Sequence, residues 1–202
     1  MSDLIPQGPP DSALQVFTAP DVLERVHRMS IDEYHRLGES GIIGERTELI
    51  RGVVVDKMSQ SPLHCYIVQV LLQWLASGVG DHWTVRPGLP VTTADSEPKP
   101  DVCVVAGGAH DYVAGHPTTA ALAIEVSISS ERLDREKAAI YAEAGIDEYW
   151  IVFGERQNVE VHRAPVAGRY TEIITVRLGE SIAPMAFPQL SIPVASLFPP
   201  AA

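Results

Sequence analysis

The amino-acid sequence predicts an α/β fold in which helices pack on a mixed β-sheet. Short apolar runs of strand length alternate with helical patterns, and a further strand-like run follows the last of these helices. Such an order of elements favours a sheet with both parallel and antiparallel pairs. The chain has 202 residues, of which 46% are hydrophobic and 20% charged, and this suits one globular domain with short appendages.

The first part of the chain predicts a tail, a helix and a hairpin. Residues 1–25 begin with a Pro-rich, aperiodic stretch that is typical of a mobile tail, and residues 26–202 are assigned to the folded domain. Ser30-Ile31-Asp32-Glu33 has the form of a capping box and should begin a short helix. The segment Glu48–Lys57 predicts a hairpin, because β-branched residues flank Arg51-Gly52 and glycine tolerates the positive φ of a tight turn.

The second helix is predicted from both its ends and its apolar pattern. Ser61 is a good N-cap, and Pro62 suits the first helical position. Apolar residues then recur at spacings of three and four over residues 63–75, which gives one stripe, and Gly78 should end the helix. The segment Trp83–Thr93 is predicted to be extended.

Buried strands and a third helix follow. Asp101–Val105 and Ala121–Ile128 have the length and the β-branched content of buried strands, and residues 130–144 form a helical pattern that Gly145 closes. Further strands are predicted at Glu148–Phe153, Asn158–Arg163 and Arg169–Val176. The late segment Leu190–Phe198 is expected to pack along the edge of the sheet.

The charge balance is unusual for a protein that binds nucleic acid. With 26 acidic and 15 basic side chains the formal net charge is −11, and the sequence has no Lys/Arg-rich run. Tight non-specific binding to a duplex normally needs several cations that neutralise phosphates. If nucleic acid is the substrate, we expect the arginines to cluster beside the active-site cleft.

Composition also bears on location and on the two cysteines. No apolar run reaches the roughly 18 residues that a membrane span needs, and no secretory signal is recognised, so a cytoplasmic location and no membrane partner are expected. Cys65 and Cys103 belong to no CxxC pair, which argues against a zinc site or a redox dithiol. Both are expected to be buried, reduced thiols.

Two carboxylates in apolar strands are the strongest chemical signal. Asp101 begins one predicted strand and Glu125 lies inside the next, where an ionised carboxylate is costly unless it is paired or binds a metal. Alternation places Asp101 on the face of Cys103, and Glu125 on the face of Ala123 and Ser127. If the strands are neighbours, in-phase pairing brings both carboxylates to one Mg²⁺ or Mn²⁺. Such a cation polarises a phosphoryl oxygen and lowers the pKa of a bound water.

The same residues resemble a known nuclease pattern. Pro100-Asp101, followed by a strand with Glu125, resembles the PD…E half of the PD-(D/E)xK signature, although Ser127 occupies the usual lysine position. The stretch EVSISSERLDREKAAIYAEAGIDEYWIV is similar to the Uma2 family (DUF820), whose members read approximately E-V-x-S, D-x-x-K and Y-x-x-x-G-x-x-E-Y-W. Upstream, ERTELIRG and SPLH resemble the family's hairpin and its S-P-x-H, whereas Phe153-Gly154 replaces its usual acidic residue.

This resemblance, over roughly residues 30–198, implies a restriction-endonuclease-like mixed central sheet flanked by helices, with an added N-terminal hairpin and C-terminal strands. It implies an endonuclease that hydrolyses nucleic-acid phosphodiester bonds with Mg²⁺ or Mn²⁺. Asp101 and Glu125 would be metal ligands, and Glu48 an additional metal-site acid. Lys137 would be a relocated catalytic lysine that reaches back to the place Ser127 leaves empty, with its ammonium within about 5 Å of a Glu125 oxygen.

Each candidate also has a purely structural interpretation. Lys137 would face solvent or pair with Asp134, three residues before it on the helix. Glu48 would pair with a neighbouring arginine, and His64 would make a structural hydrogen bond in the first turn of its helix. His64, Asp134 and Ser127 are therefore supporting candidates only.

Two functions remain open at this point. The first is the metal-dependent endonuclease, for which a homodimer is a further hypothesis because two-fold symmetry suits the cutting of two strands. The second is a nuclease-like scaffold without turnover that acts as an interaction or regulatory module. The net charge of −11 favours the second, whereas Asp101, Glu125 and Lys137 favour the first.

Overall fold

The computed structural model describes residues 20–200. Its helices are α1 (Pro20–Leu23), α2 (Ile31–Glu39), α3 (Pro62–Gly78) and α4 (Glu131–Glu143). Its strands are β1 (Thr47–Ile50), β2 (Val53–Asp56), β3 (Trp83–Pro87), β4 (Val102–Ala106), β5 (Leu122–Ser127), β6 (Glu148–Phe153), β7 (Asn158–Val166), β8 (Arg169–Val176), β9 (Ser181–Ile182) and β10 (Ile192–Pro193). Short 3-10 helices lie at Ala109–Tyr112 and Val194–Leu197.

A six-stranded sheet in the order β3-β4-β5-β6-β7-β8 forms the centre of the fold. Strands β5 and β6 pair in parallel, with α4 as the connection between them, and the other neighbours pair antiparallel. The β1–β2 hairpin and the β9–β10 pair stand outside this sheet. The predicted fold class is therefore confirmed, including the N-terminal hairpin and the C-terminal strands.

The two faces of the sheet bury different sets of side chains because strand residues alternate. One face packs against α3 and the C-terminal segment, and it includes Val102, Val104, Ile124 and Val126. The opposite face packs against α4, and it includes Cys103, Val105, Ala123 and Tyr149. Asp101 and Glu125 follow the alternation of the second set, so they lie on the α4 side of the sheet.

Local signals in the sequence account for the hairpin and the helix before it. The Ser30 capping box is present, with the Glu33 carboxylate accepting from the Ser30 backbone N–H. Arg51 and Gly52 have φ values of 52° and 75°, as the two central residues of a type I′ turn require. A Cβ at Gly52 would also lie 2.6 Å from the Arg28 Cβ, so glycine is needed there for space as well.

Three expectations need correction or comment. The segment Leu190–Phe198 does not run along the sheet edge but contributes buried side chains to the core on the α3 side. Cys65 is exposed, because it lies off the apolar stripe of α3. Of the tail predicted for residues 1–25, residues 1–19 lie outside the described part of the chain. The remaining residues contain the short helix α1.

Across residues 20–200, none of the helices has both the length and the apolar composition that a membrane crossing demands. The cytoplasmic location expected from the sequence stays a prediction.

The two thiols should differ sharply in reactivity. Burial raises the pKa of Cys103 to about 12, whereas Cys65 is exposed, and only the thiolate is a nucleophile. In the native protein we expect a thiol reagent at neutral pH to modify one cysteine per chain, and both after unfolding in urea. Cys65→Ser should abolish the native reaction. Fast modification of Cys103 in that variant would contradict the described packing.

Candidate active site

The pairing of β4 and β5 determines where the two carboxylates meet. Val102 pairs with Ile124 and Cys103 with Ala123. The same register, continued by one residue, sets Asp101 opposite Glu125. The in-phase arrangement expected from the sequence is therefore present, and both carboxylates are buried.

Asp101 is held mainly through one of its oxygens. Its Oδ2 lies 2.9 Å from His64 Nε2 and accepts a 2.8 Å hydrogen bond from the Val126 backbone N–H. The Lys57 ammonium is 3.4 Å from Oδ1. Burial by itself would raise the pKa of Asp101, but the His64 hydrogen bond and the Lys57 charge outweigh it, so the pKa is lowered. His64 thus does more than support its own helix.

Glu125 also uses one oxygen for contacts with the protein. Its Oε1 accepts from the Lys137 ammonium at 2.9 Å and from the Tyr141 hydroxyl at 3.0 Å. Oε2 accepts no hydrogen bond from any residue between 20 and 200. Burial raises the pKa of Glu125 to about 8, with the charges of Asp101 and Glu48 adding to the rise and Lys137 opposing it.

Lys137 is buried between two carboxylates. Its Nζ lies 2.9 Å from Glu125 Oε1 and 2.8 Å from Glu48 Oε2, and only 2% of its side chain is exposed. Burial would lower the pKa of Lys137, but the two carboxylates outweigh it and raise the pKa. The predicted Lys137–Glu125 separation is confirmed, and the solvent-facing alternative for Lys137 is wrong.

Glu48 is not paired with a neighbouring arginine. Its Oε1 accepts a 2.6 Å hydrogen bond from the Lys99 backbone N–H, and its Oε2 contacts Lys137. Arg46 instead donates to the Met58 carbonyl. Both Glu48 oxygens therefore already have partners.

Asp134 and Ser127 support the start of α4. Asp134 shares the buried face of the helix with Lys137, as the three-residue spacing predicted. Its Oδ2 accepts from the Ser130 hydroxyl at 2.5 Å, and its backbone carbonyl accepts from the Tyr149 hydroxyl at 2.8 Å. Burial raises the pKa of Asp134, and the Ser127 hydroxyl is one of the hydrogen-bond donors that oppose the rise.

These side chains surround a recess of about 100 Å³. One wall is the segment Asp56–Ser61, which begins at the last residue of β2. The other wall lies between Ile128 and Leu133, where the chain leaves β5 and enters α4. The predicted site residues that line it are Glu48, His64, Asp101, Glu125, Asp134 and Lys137. Ser127 is the one predicted site residue that does not line this recess.

Two further contributors were missed. Lys57 lines the recess and lies next to Asp101, although nothing in its local pattern marks it out. Tyr141, interpreted as a core residue, is buried but also donates to Glu125. Its position four residues after Lys137 was a usable signal, since such residues share a helix face. The expected arginine cluster is not at the recess: no arginine from the described ranges lines it.

The donor set suits a hard divalent cation that keeps several waters. Asp101 Oδ1, with its long 3.4 Å contact to Lys57, and Glu125 Oε2, which accepts no hydrogen bond from residues 20–200, both have free capacity. Within residues 20–200 there is no group of three or more His, Cys, Asp or Glu side chains arranged to enclose a metal. Mg²⁺ commonly binds proteins through one or two carboxylates plus waters and substrate phosphates, so the two residues fit it. Glu48 would have to release a partner to join them.

Comparison with known proteins identifies the family and the fold of the chain. The Uma2 family model, described as "Putative restriction endonuclease", matches residues 31–195. Among solved structures, one described as "a putative nuclease belonging to DUF820" from Anabaena variabilis superposes with a TM-score of 0.71 at 18% identity. The match covers 84% of this chain and 97% of that chain, and it shows the shared fold. No curated protein has a significant sequence match.

Replacing the buried lysine should destabilise the fold strongly. Lys137→Met leaves Glu48 and Glu125 buried without their cation, and breaking a buried ion pair in this way typically costs about 3–5 kcal/mol. Urea unfolding at pH 7 measures this loss. Lys99→Met is the matched control, because among residues 20–200 its ammonium donates a hydrogen bond only to the Glu45 carbonyl. A loss no larger than that of the control would show that the ion pairs contribute little.

The Asp101 carboxylate should stabilise the protein in a pH-dependent way. Its pKa is lower in the folded protein than the ~3.9 of an unfolded chain, so its contribution is complete above that value. The contribution is lost as the pH falls through the folded-state pKa. With EDTA present, we expect Asp101→Asn to be less stable than wild type by about 2 kcal/mol at pH 7. The gap should narrow below about pH 4; a constant gap down to pH 3 would contradict the assignment.

Proposed function

Because the chain belongs to the Uma2 family, we propose that it is a divalent-metal-dependent nuclease that hydrolyses phosphodiester bonds in nucleic acid. The observation that carries the proposal is that Asp101, directly before β4, lies opposite Glu125 on the neighbouring strand β5. Two buried carboxylates from adjacent strands each present one oxygen with free capacity to the same recess. The charge of Asp101 disfavours ionisation of Glu125, and a bound cation would remove that cost.

Each residue of the recess then has a role. Asp101 and Glu125 would hold Mg²⁺ or Mn²⁺, with Glu48 as the nearby third acid. The cation, when bound, would polarise a phosphoryl oxygen and lower the pKa of a water. His64 fixes the Asp101 carboxylate by its 2.9 Å contact.

We assign to Lys137 the positive charge that the nuclease signature normally carries two residues after Glu125. Its ammonium lies 2.9 Å from the Glu125 carboxylate, in the region where negative charge develops during phosphoryl transfer. Asp134 and Ser127 support this lysine by fixing the first turns of α4. The homodimer expected from the sequence stays a prediction.

A second candidate function is a nuclease-like scaffold without turnover. Two observations favour it: the lysines already neutralise part of the carboxylate charge, and the chain carries a net charge of −11. The two candidates differ in their need for a metal, which makes metal binding the decisive property.

Calorimetry and cleavage assays with Mn²⁺ and Mg²⁺ test the proposal together. We expect wild type to bind Mn²⁺, to melt at a higher temperature in its presence and to cleave a labelled oligonucleotide, because a ligand that binds only the folded state stabilises it. Asp101→Asn should lose the melting shift and at least roughly 10²-fold in turnover.

Asp81→Asn is the matched control, since this exposed aspartate is not part of the recess. It should behave as wild type in both assays. If wild type neither binds a metal nor cleaves the oligonucleotide, the result favours the scaffold without turnover.

A further inference from the structure

The depth of the recess limits what can reach the carboxylates. Asp101 and Glu125 are 6% and 3% exposed, and the space above them is about 100 Å³. This volume suits a phosphate group with a few waters, not a base pair. Any substrate must therefore introduce one backbone phosphate between the wall Asp56–Ser61 and the wall Ile128–Leu133.

A continuous duplex is poorly suited to that entry. Double-stranded DNA is stiff over about 150 base pairs, so deforming it to bring one phosphate into a narrow recess costs free energy. A single strand has a flexible backbone whose phosphates turn freely. The shape of the recess thus favours a single strand.

The charges around the recess point the same way. Its lining cations are Lys57 and Lys137, and in the part of the chain that the structure describes no arginine accompanies them. The rim of the recess is formed by the acidic Asp56 and by uncharged residues: Met58, Ser59, Gln60, Ser61, Ser129 and Ser130. Proteins that hold a duplex commonly neutralise six to ten phosphates. This rim has no such row of cations, and the net charge of −11 opposes a long polyanion.

The two lysines of the recess are not equally available to a substrate. Lys137 is 2% exposed and contacts two carboxylates at 2.8 and 2.9 Å. Lys57 is 20% exposed, donates to the Lys99 carbonyl at 2.6 Å and has longer contacts of 3.4 Å to Asp101 and 3.9 Å to Glu48. An ammonium has three N–H donors, so Lys57 retains capacity for a phosphate oxygen.

We propose that the substrate of this recess is single-stranded nucleic acid and that Lys57 is the side chain that contacts its phosphate. The inference rests on the proposed nuclease function and adds the substrate class to it. Lys137 then keeps the role proposed above beside Glu125, while the more exposed Lys57 contacts the phosphate of the substrate.

Cleavage of matched substrates tests the substrate class. A labelled oligonucleotide is assayed alone and annealed to its complement, with Mn²⁺ present. We expect kcat/KM to be at least tenfold higher for the single strand, because a duplex must first unpair. Equal or faster cleavage of the duplex would overturn this inference and leave the nuclease function intact. If neither form is cut, the nuclease function itself fails and the inference falls with it.

Variants of the lysines test the role of Lys57. Lys57→Met should raise KM for the single strand about tenfold with a smaller change in kcat, and Lys57→Arg should restore most of the loss. Arg177→Met is the matched control and should be unchanged, because this exposed cation is not part of the recess. A loss confined to kcat would overturn the substrate-contact role. Melting curves of each variant separate misfolding from lost binding.

The salt dependence of binding provides a readout that does not need turnover. Anisotropy of a labelled single strand is measured without divalent cations at several salt concentrations. Each neutralised phosphate contributes about −0.7 to the slope of log K against log salt, so we expect a shallow slope of about −1 to −2. Lys57→Met should flatten it by about 0.7. A slope near −5, or no change in the variant, would overturn the inference.

Discussion

The ammonium of Lys137 forms ion pairs that link three separate secondary-structure elements. It contacts Glu48 from the β1–β2 hairpin and Glu125 from β5, and Lys137 itself comes from α4. Taking these charges out of water costs several kcal/mol for each ion, and only close pairing compensates. The three elements are therefore held in one relative position, since any shift would leave a buried charge without its partner. The geometry of the recess follows from this constraint.

The hairpin shows how much depends on that contact. Strands β1 and β2 lie outside the central sheet, and an isolated bridge pairs Leu49 with Glu97, which lies in the segment between β3 and β4. Through Glu48, the buried lysine fixes the hairpin against the sheet. The same placement brings Lys57, at the end of β2, to Asp101. A small appended element thus provides one wall of the recess and its most exposed cation.

Local patterns predicted the elements well because their causes are local. A capping box, a type I′ turn and strand alternation each act within a few residues, and alternation was enough to align Asp101 with Glu125. The position of Lys57 was not predictable in this way, because its partner lies 44 residues away and is brought near only when the hairpin packs. Cys65 is a different case: it lies off the apolar stripe of α3, so its exposure could have been read from the sequence.

The departures from the family pattern are consistent with one another. Because Lys137 reaches Glu125 from α4, position 127 need not carry a lysine, and the small Ser127 fits beside Asp134. An acidic side chain at position 154 would require the Ile128 side chain to move, since a Cβ on Gly154 would lie 2.3 Å from Ile128 Cδ1. Ile128 in turn forms part of the recess wall. With the charge on the helix, each main carboxylate has one oxygen held closely by the protein, Asp101 Oδ2 and Glu125 Oε1. In the proposed function, positioning and metal binding would therefore fall to different atoms.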